Sequence, residues 1–162
     1  MADKTLKDLF HETLKDIYFA EKQIYRALPK LAKGAESEEL KQAFLHHREE
    51  TEGQIERLEQ VFEALEKPAR GKTCEAIKGL MEEGNEVLED FEDSPALDAG
   101  LVACGQAVEH YEMARYGALI TWANQLGMKD AAKLLDQNLQ EEKKADALLT
   151  RLATSMINQK AA

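Results

Sequence analysis

The amino-acid sequence predicts an all-α protein, an antiparallel four-helix bundle with one long crossover that contains a short fifth helix. No segment alternates apolar and polar residues with period two over a useful length, whereas apolar residues recur at steps of three and four between helix-breaking residues. This pattern gives four segments of roughly 30 residues and one shorter segment. A chain of 162 residues suits one core, so we expect residues 1–162 to form a single helical-bundle domain.

The first two helices are predicted over about 3–33 and 37–66. Gly34 is expected to end the first helix in the left-handed conformation, and Pro29, which lacks a backbone N–H, is expected to kink or loosen its last turns. Ser37 followed by two glutamates is typical of a helix start, because a hydroxyl cap and early acids suit the positive helix end. The short turn between the two helices predicts an antiparallel hairpin.

The second hairpin follows a linker over 67–71 and a short amphipathic helix over about 74–91. Ser94 is expected to cap the next helix, with Pro95 in its first position. That helix is predicted to reach about residue 125, where Gly127 breaks the pattern, and the last helix to run over about 129–158. Two hairpins joined by one long crossover have the connectivity of ferritin-like folds.

Composition excludes some classes of function. The formal net charge of −10 argues against nucleic-acid binding, which needs a basic surface. No apolar run is long enough to span a membrane, and the first residues do not resemble a signal peptide, so we expect a cytoplasmic protein that does not bind membranes. Cys74 and Cys104 form no metal-binding pair and are expected to be reduced packing residues.

Acidic residues interrupt the apolar seam of every long helix. At the helical rise of about 1.5 Å per residue, Glu21, Glu112 and Glu142 each lie about 22 Å from their hairpin turns, and so does Glu50. Antiparallel packing therefore brings the interruptions to the same depth in the bundle. The candidate metal ligands are Glu21, His47, Glu50, Glu109, Glu112, Glu142 and Asp146.

Metal binding explains such a cluster best. Buried carboxylates repel one another unless they are protonated, paired or bound to cations, and two divalent ions would neutralise several of them. Oxygen ligands with a little imidazole favour iron, or else manganese, over copper or structural zinc. Glu50 and Glu112 are the candidates for bridging ligands. His47 is either a ligand or a hydrogen-bonded core histidine, and Tyr116 is either a packing residue or a hydrogen-bond partner of a ligand.

Four segments carry a family resemblance. They read LKDLFHETLKDIYFAEKQIYRALPKLAKGA, HHREETEGQIERLEQVF, AVEHYEMARYGAL and LQEEKKADALLTRLA. Together they resemble the bacterial YciE/YciF stress-protein family of the ferritin-like superfamily, over nearly the whole chain. The resemblance implies a homodimer, a relation to rubrerythrin-type di-iron proteins and a role in stress response.

The ferritin-like ligand pattern is only partly present. It supplies one Glu from each of two helices and Glu-x-x-His from each of the other two. Glu21 matches the first Glu, and Glu109 or Glu112 matches the other. The Glu-x-x-His pairs are missing, because Gly53 and Ala145 stand where the histidines would be. His47, one turn before Glu50, and Asp146, one turn after Glu142, would have to replace them.

Two classes of function follow as hypotheses. The first is a di-iron oxidoreductase, of the ferroxidase or peroxidase kind, that handles iron, oxygen or peroxide. The alternative is a non-catalytic dimeric helical stress protein with a vestigial metal site. A metal-storage subunit is a third hypothesis, for which the sequence offers no recognisable assembly surface.

Overall fold

A computed structural model describes residues 3–162 of the chain and confirms the all-α prediction. Its main helices are α1 (Leu6–Gly34), α2 (Glu38–Ala64), α3 (Glu75–Asp90), α4 (Leu97–Gln125) and α5 (Lys129–Leu152). A π-helical segment, Ala153–Ile157, and the short helix α6 (Asn158–Ala161) continue α5. None of the helices between residues 3 and 162 is both long and apolar enough to cross a membrane.

Four helices surround the core in the order α1, α2, α5, α4. The pairs α1–α2 and α4–α5 are the two hairpins, while α2 packs against α5 and α1 packs against α4. The crossover helix α3 lies outside this ring, against α4 and α1. The predicted seams face inwards, since Leu14, Ile17, Leu58, Leu119 and Leu135 are fully buried.

The turn between α1 and α2 is held by side-chain acceptors. Ser37 Oγ accepts the N–H of Leu40 at 3.3 Å, as predicted for a helix cap. The carboxylate of Asp98, at the start of α4, accepts the N–H groups of Glu36 and Ser37 at 2.8 and 2.7 Å. The turn is therefore tied to the second hairpin as well as to its own helix.

Replacement of the cap, Ser37→Ala, is expected to lower the free energy of unfolding by about 1 kcal/mol, because the Leu40 N–H loses its acceptor. Urea denaturation measures this change. Ser155→Ala, at an exposed position in the π-helical segment, should change stability by less than about 0.5 kcal/mol. Equal effects of the two substitutions would show that the cap contributes nothing.

Two predictions about helix ends are wrong. Gly34 is the last residue of α1 rather than a left-handed terminator, and the chain leaves the helix at Ala35 in an extended conformation. The glycine serves close packing, since a Cβ there would overlap the side chain of Leu88 on α3. The predicted start of α4, with Ser94 as its cap and Pro95 in its first position, is the second. The N-cap is Ala96 instead, and the Leu97 N–H donates to Ser94 O at 3.0 Å, so residues 94–97 form a turn before the helix.

The remaining ends agree with the sequence more closely. Helix α1 continues past Pro29 to its end. Gly127 has a φ of 72° and lies in the turn between α4 and α5, where the sequence predicts the helix to end. Helix α2 ends at Ala64, two residues before the predicted end, and Glu66 just beyond it adopts a left-handed φ of 55°. The π-helical segment near the end of the last helix was not predicted.

Candidate metal centre

Buried polar side chains from all four bundle helices meet in the middle of the core. They are 0–6% exposed: Glu21 from α1, His47 from α2, Glu109 and Glu112 from α4, and Glu142 from α5. In the group His47, Glu109, Glu112 and Glu142, which we call the His–Glu cluster, one ligand atom from each residue lies within 4.8 Å of all the others. These atoms are close enough to bind a shared metal ion.

The helical repeat explains why these residues converge. Glu109 and Glu112 lie three residues apart on α4 and therefore point to the same face. His47 follows the buried Phe44 by three residues on α2, and Glu142 precedes the buried Leu149 by two turns on α5. Each residue of the His–Glu cluster thus lies on the core-facing side of its helix, at a position where an apolar side chain would be expected.

The two ring nitrogens of His47 face different surroundings. Nε2 points into the cluster, 2.9 Å from Glu109 Oε1 and 3.6 Å from Glu142 Oε2. Nδ1 lies 3.3 Å from Glu50 Oε2, on the outer side of the ring. A carboxylate at the outer nitrogen fixes the orientation of the ring and leaves the inner nitrogen available to a metal.

Glu21 belongs to a hydrogen-bonded chain that extends from the core to the surface. The Tyr116 hydroxyl donates to Glu21 Oε1, and Asn138 Nδ2 lies 3.1 Å from that hydroxyl oxygen and donates to it. Asn138 Oδ1 accepts from Arg57 at 2.7 Å, and Arg57 pairs with Glu141 at 2.7 Å. The position of the Glu21 carboxylate is therefore set by neighbours on α4 and α5.

Many buried polar atoms around this site have no hydrogen-bond partner. Native proteins leave few such atoms, so their concentration in one place is typical of a site that can bind a cation rather than of general poor packing. The carboxylate oxygens without a partner are Glu21 Oε2, Glu109 Oε2, both oxygens of Glu112 and both of Glu142. The side-chain amide of the buried Gln54 is also unpaired at both atoms. The donor set fits a hard divalent metal ion.

Burial and mutual repulsion change the acidity of these groups. Burial raises the pKa of Glu112 and Glu142 well above the ordinary value, and nearby carboxylates raise it further. Burial also raises the pKa of Glu21, to about 7, although the interaction with Glu112 and the hydrogen bond from Tyr116 oppose the change. Burial lowers the pKa of His47, but the charges of Glu109 and Glu142 outweigh it and the pKa is raised well above 6.5.

Two of the seven predicted ligands lie at the edge of the core, where their side chains are 21% exposed. Glu50 contacts His47 and is also 3.4 Å from His46 Nε2. Asp146 accepts from Gln106 Nε2 at 3.2 Å and lies 3.2 Å from His110 Nε2, on the outer side of the α4–α5 pair. The structure therefore brings together Glu21 and the His–Glu cluster, and it places Asp146 outside them.

Sequence reasoning missed Asn138. In the sequence of the last helix, the spacing of apolar residues predicts a core stripe that passes from Leu135 to Leu139. The structure instead buries Asn138 fully and Leu139 only in part. A step of three and a step of four are equally acceptable along a helix, so the spacing did not decide between them. Of the two alternatives for Tyr116, the structure shows the hydrogen-bonded one, since its hydroxyl donates to the candidate ligand Glu21.

A bundle of two hairpins with one long crossover, and with carboxylates from three helices around one histidine, defines a ferritin-like protein. The chain belongs to the family described as "Domain of unknown function (DUF892)", whose model matches residues 5–162. It is 51% identical over 159 residues to Protein YciF of Escherichia coli strain K12, covering 98% of this chain and 96% of that protein.

Solved structures of similar proteins have the same fold. The crystal structure of the E. coli stress protein YciF matches with a TM-score of 0.92 at 50% identity, covering 97% of this chain and 99% of that one. YcfI from Rhodopseudomonas palustris matches with a TM-score of 0.88 at 48% identity, covering 91% and 94%. A Xanthomonas campestris protein at 22% identity and a TM-score of 0.75, covering 96% and 94%, shares the fold.

Proposed function

We propose that this protein is a cytoplasmic, homodimeric stress-response protein that binds two metal ions in its core and uses them to remove peroxide. Iron is the proposed metal, with manganese as the alternative. The observation that carries the proposal is the concentration of unpaired, buried carboxylate oxygens beside one imidazole nitrogen. The stress role is supported by the similarity to YciF, a stress protein of E. coli.

The charges favour two divalent ions. When ionised, Glu21, Glu109, Glu112 and Glu142 carry four negative charges in a buried site, which two divalent ions would balance. Within residues 3–162, no lysine or arginine forms an ion pair with these four carboxylates. His47, neutral when bound to a metal, would add one nitrogen ligand without changing the balance.

Different residues of the site would have different tasks. We propose Glu112 as the bridging ligand, because both of its oxygens are buried and unpaired and because Glu21, Glu109 and Glu142 all act on its charge. A ligand shared in this way would allow both ions to act on one small oxidant. Glu50 would orient the His47 ring rather than bridge the metals, since it contacts the outer nitrogen.

The proposed reaction needs two electrons. Hydrogen peroxide would take one electron from each of two ferrous ions together with two protons, giving two water molecules and two ferric ions. The chain would supply the ligands that hold both ions. Burial would limit solvent access to the reacting metals.

The alternative is a non-catalytic stress protein with a vestigial site. It is favoured by one observation: Ala145 lies where the ferritin-like pattern has a histidine, which leaves one metal position with fewer ligands. In that case the carboxylates would hold protons instead of metal, in keeping with the raised pKa values of Glu112 and Glu142.

Metal loading tests the proposal. Protein loaded anaerobically with ferrous iron is expected to retain about two irons per chain and to develop a near-ultraviolet band when peroxide is added. Glu112→Gln and Glu142→Gln should lose both properties, because each removes an ionised ligand. Glu52→Gln, at an exposed position on α2, is the matched control and should behave as wild type.

Elemental analysis and stopped-flow absorbance measure the two outcomes. Retention of less than one iron per chain by the wild type, or equal retention by Glu142→Gln, would favour the vestigial site. Iron retention without any response to peroxide or oxygen would leave a metal-binding protein without the proposed reaction.

A further inference from the structure

A cavity of about 390 Å³ lies beside the His–Glu cluster, on the side of the α1–α2 turn. Its walls are mainly apolar and include Leu28, Phe44 and Leu149. Two cluster residues, His47 and Glu109, form part of its lining. The cavity therefore joins an apolar space directly to the candidate metal centre.

The cavity also reaches the protein surface. Its lining includes the exposed residues Lys30 and Lys144 as well as the buried His47 and Glu109. A molecule entering from solvent could thus reach the cluster without unfolding the bundle. Hydrogen peroxide and oxygen need no space of this size, because an apolar cavity of about 150 Å³ already accepts benzene.

A small side chain contributes to this space. Ala145 lines the cavity and lies three residues after Glu142, where the ferritin-like pattern places a histidine. A methyl group therefore replaces an imidazole next to the cluster. The presence of alanine instead of histidine at position 145 removes a possible metal ligand, and it also leaves room for another molecule to approach the candidate metal centre.

We propose that the cavity binds organic hydroperoxides, with the hydrocarbon part against the apolar walls and the peroxide group at the face formed by His47 and Glu109. This inference rests on the proposed function for its chemistry and extends it from hydrogen peroxide to a larger substrate class. The ligand is neutral, because the walls that would surround it are mainly apolar and a charged group would lose its hydration there. Apolar walls with a few polar groups at one end are typical of small-molecule sites.

The reaction is the same two-electron reduction. The O–O bond of ROOH breaks, each of two ferrous ions gives one electron, and two protons are taken up. One oxygen leaves as the alcohol ROH and the other as water, and the two ions become ferric.

Binding to metal-free protein tests the cavity independently of the metal chemistry. The probe is 2-phenyl-2-propanol, the alcohol product of cumene hydroperoxide, measured by titration calorimetry. Ala145→Leu is expected to weaken binding at least about tenfold by filling the cavity. Ala43→Leu, in the cavity wall on α2, should do the same. Ala114→Leu, exposed on α4 and outside the cavity, is the matched control and should bind as wild type.

Absence of binding to the wild type, or unchanged binding to both cavity variants while circular dichroism shows them folded, would overturn the assignment. Two filling variants on different helices keep this test valid if one of them fails to fold.

Turnover by ferrous-loaded protein tests the substrate class. The reaction is followed as a single oxidation of the ferrous protein. The ratio of its second-order rate constant with cumene hydroperoxide to that with hydrogen peroxide is expected to fall about tenfold in Ala145→Leu and to stay constant in Ala114→Leu. Turnover of hydrogen peroxide alone would overturn the organic-hydroperoxide assignment and leave the proposed function intact. Turnover of neither peroxide would overturn both, and the calorimetric result would then decide whether the cavity binds neutral organic molecules.

Discussion

Metal-free Glu112→Gln is expected to be more stable than the metal-free wild-type protein at pH 8, although it should no longer bind metal tightly. In the wild type, Glu112 is fully buried and is repelled by the charges of Glu142 and Glu21. Glutamine has nearly the same shape and no charge. Because folding no longer has to bury this charge or take up a proton to neutralise it, the free energy of unfolding should rise by about 1–3 kcal/mol.

The gain should disappear as the pH is lowered. The pKa values of Glu112 and Glu142 are raised in the folded protein, whereas a glutamate in an unfolded chain has a pKa of about 4.3. Above that value the folded state holds more protons than the unfolded state, so wild-type stability falls as pH rises through the folded pKa values. The raised pKa of His47 acts in the same direction. At pH 5 the carboxyl groups are largely protonated, and a glutamine has little advantage.

Urea denaturation at pH 5 and pH 8, in the presence of a chelator, measures both effects. Glu52→Gln, on the exposed face of α2, provides the control for a glutamate that is not buried. Addition of metal should then reverse the order at pH 8, since a metal at about 1,000 times its dissociation constant stabilises the wild type by about 4.1 kcal/mol. A Glu112→Gln protein that is less stable than wild type at both pH values would contradict this account of the cluster.

The depth of the site could be predicted because helices have a fixed rise. Glu21, Glu112 and Glu142 lie at similar distances from their hairpin turns, and the structure places all three in the core. No pairing of distant segments had to be guessed, since short turns fix the register of each hairpin. For the same reason the two hairpins and the crossover between them could be predicted from the sequence, whereas the order of the helices around the core comes from the structure.

The rotation of side chains about each helix could not be predicted as well. Four residues correspond to slightly more than one turn, so Asp146 is rotated by about 40° from Glu142 and lies at the edge of the core beside Gln106. For the same reason the sequence did not show that Asn138, rather than its neighbour Leu139, is the fully buried residue of α5. Which of two neighbouring positions is buried depends on the helices packed against it, and a single sequence does not give that packing.

Packing also decides the conformation at the end of α1. A glycine at the end of a helix favours a left-handed terminator, but Gly34 stays helical and allows Leu88 to approach. Local propensity was overridden there by a contact with the crossover helix, whose position the sequence did not specify.

Tyr116→Phe is expected to weaken metal binding by about 10–100-fold, because the hydroxyl orients a proposed ligand. Tyr116 is fully buried, and its hydroxyl donates to Glu21 and accepts from Asn138 at 3.1 Å. Phenylalanine preserves the packing of the ring but leaves Glu21 Oε1 and the Asn138 amide without their partner. The free energy of unfolding should also fall by about 1–3 kcal/mol.

Calorimetric titration with ferrous iron and urea denaturation measure the two changes. Tyr25→Phe is the matched control. The Arg48 guanidinium carbon lies 4.2 Å from the centre of the Tyr25 ring, and phenylalanine keeps the aromatic ring that makes this contact. We expect the control to differ from wild type by less than about 0.5 kcal/mol. Unchanged iron affinity in Tyr116→Phe would show that the hydroxyl does not position Glu21 as a metal ligand.

The pH dependence of Tyr116→Phe separates a lost hydrogen bond from a simple packing defect. The hydroxyl lowers the pKa of Glu21, which burial raises to about 7, so it stabilises the ionised carboxylate more than the protonated one. Its removal should therefore destabilise the metal-free protein more at pH 8 than at pH 5. Glu112→Gln should gain stability over the same interval. Opposite signs are expected because one substitution removes a partner of a buried charge and the other removes a buried charge itself, whereas a packing defect would destabilise equally at both pH values.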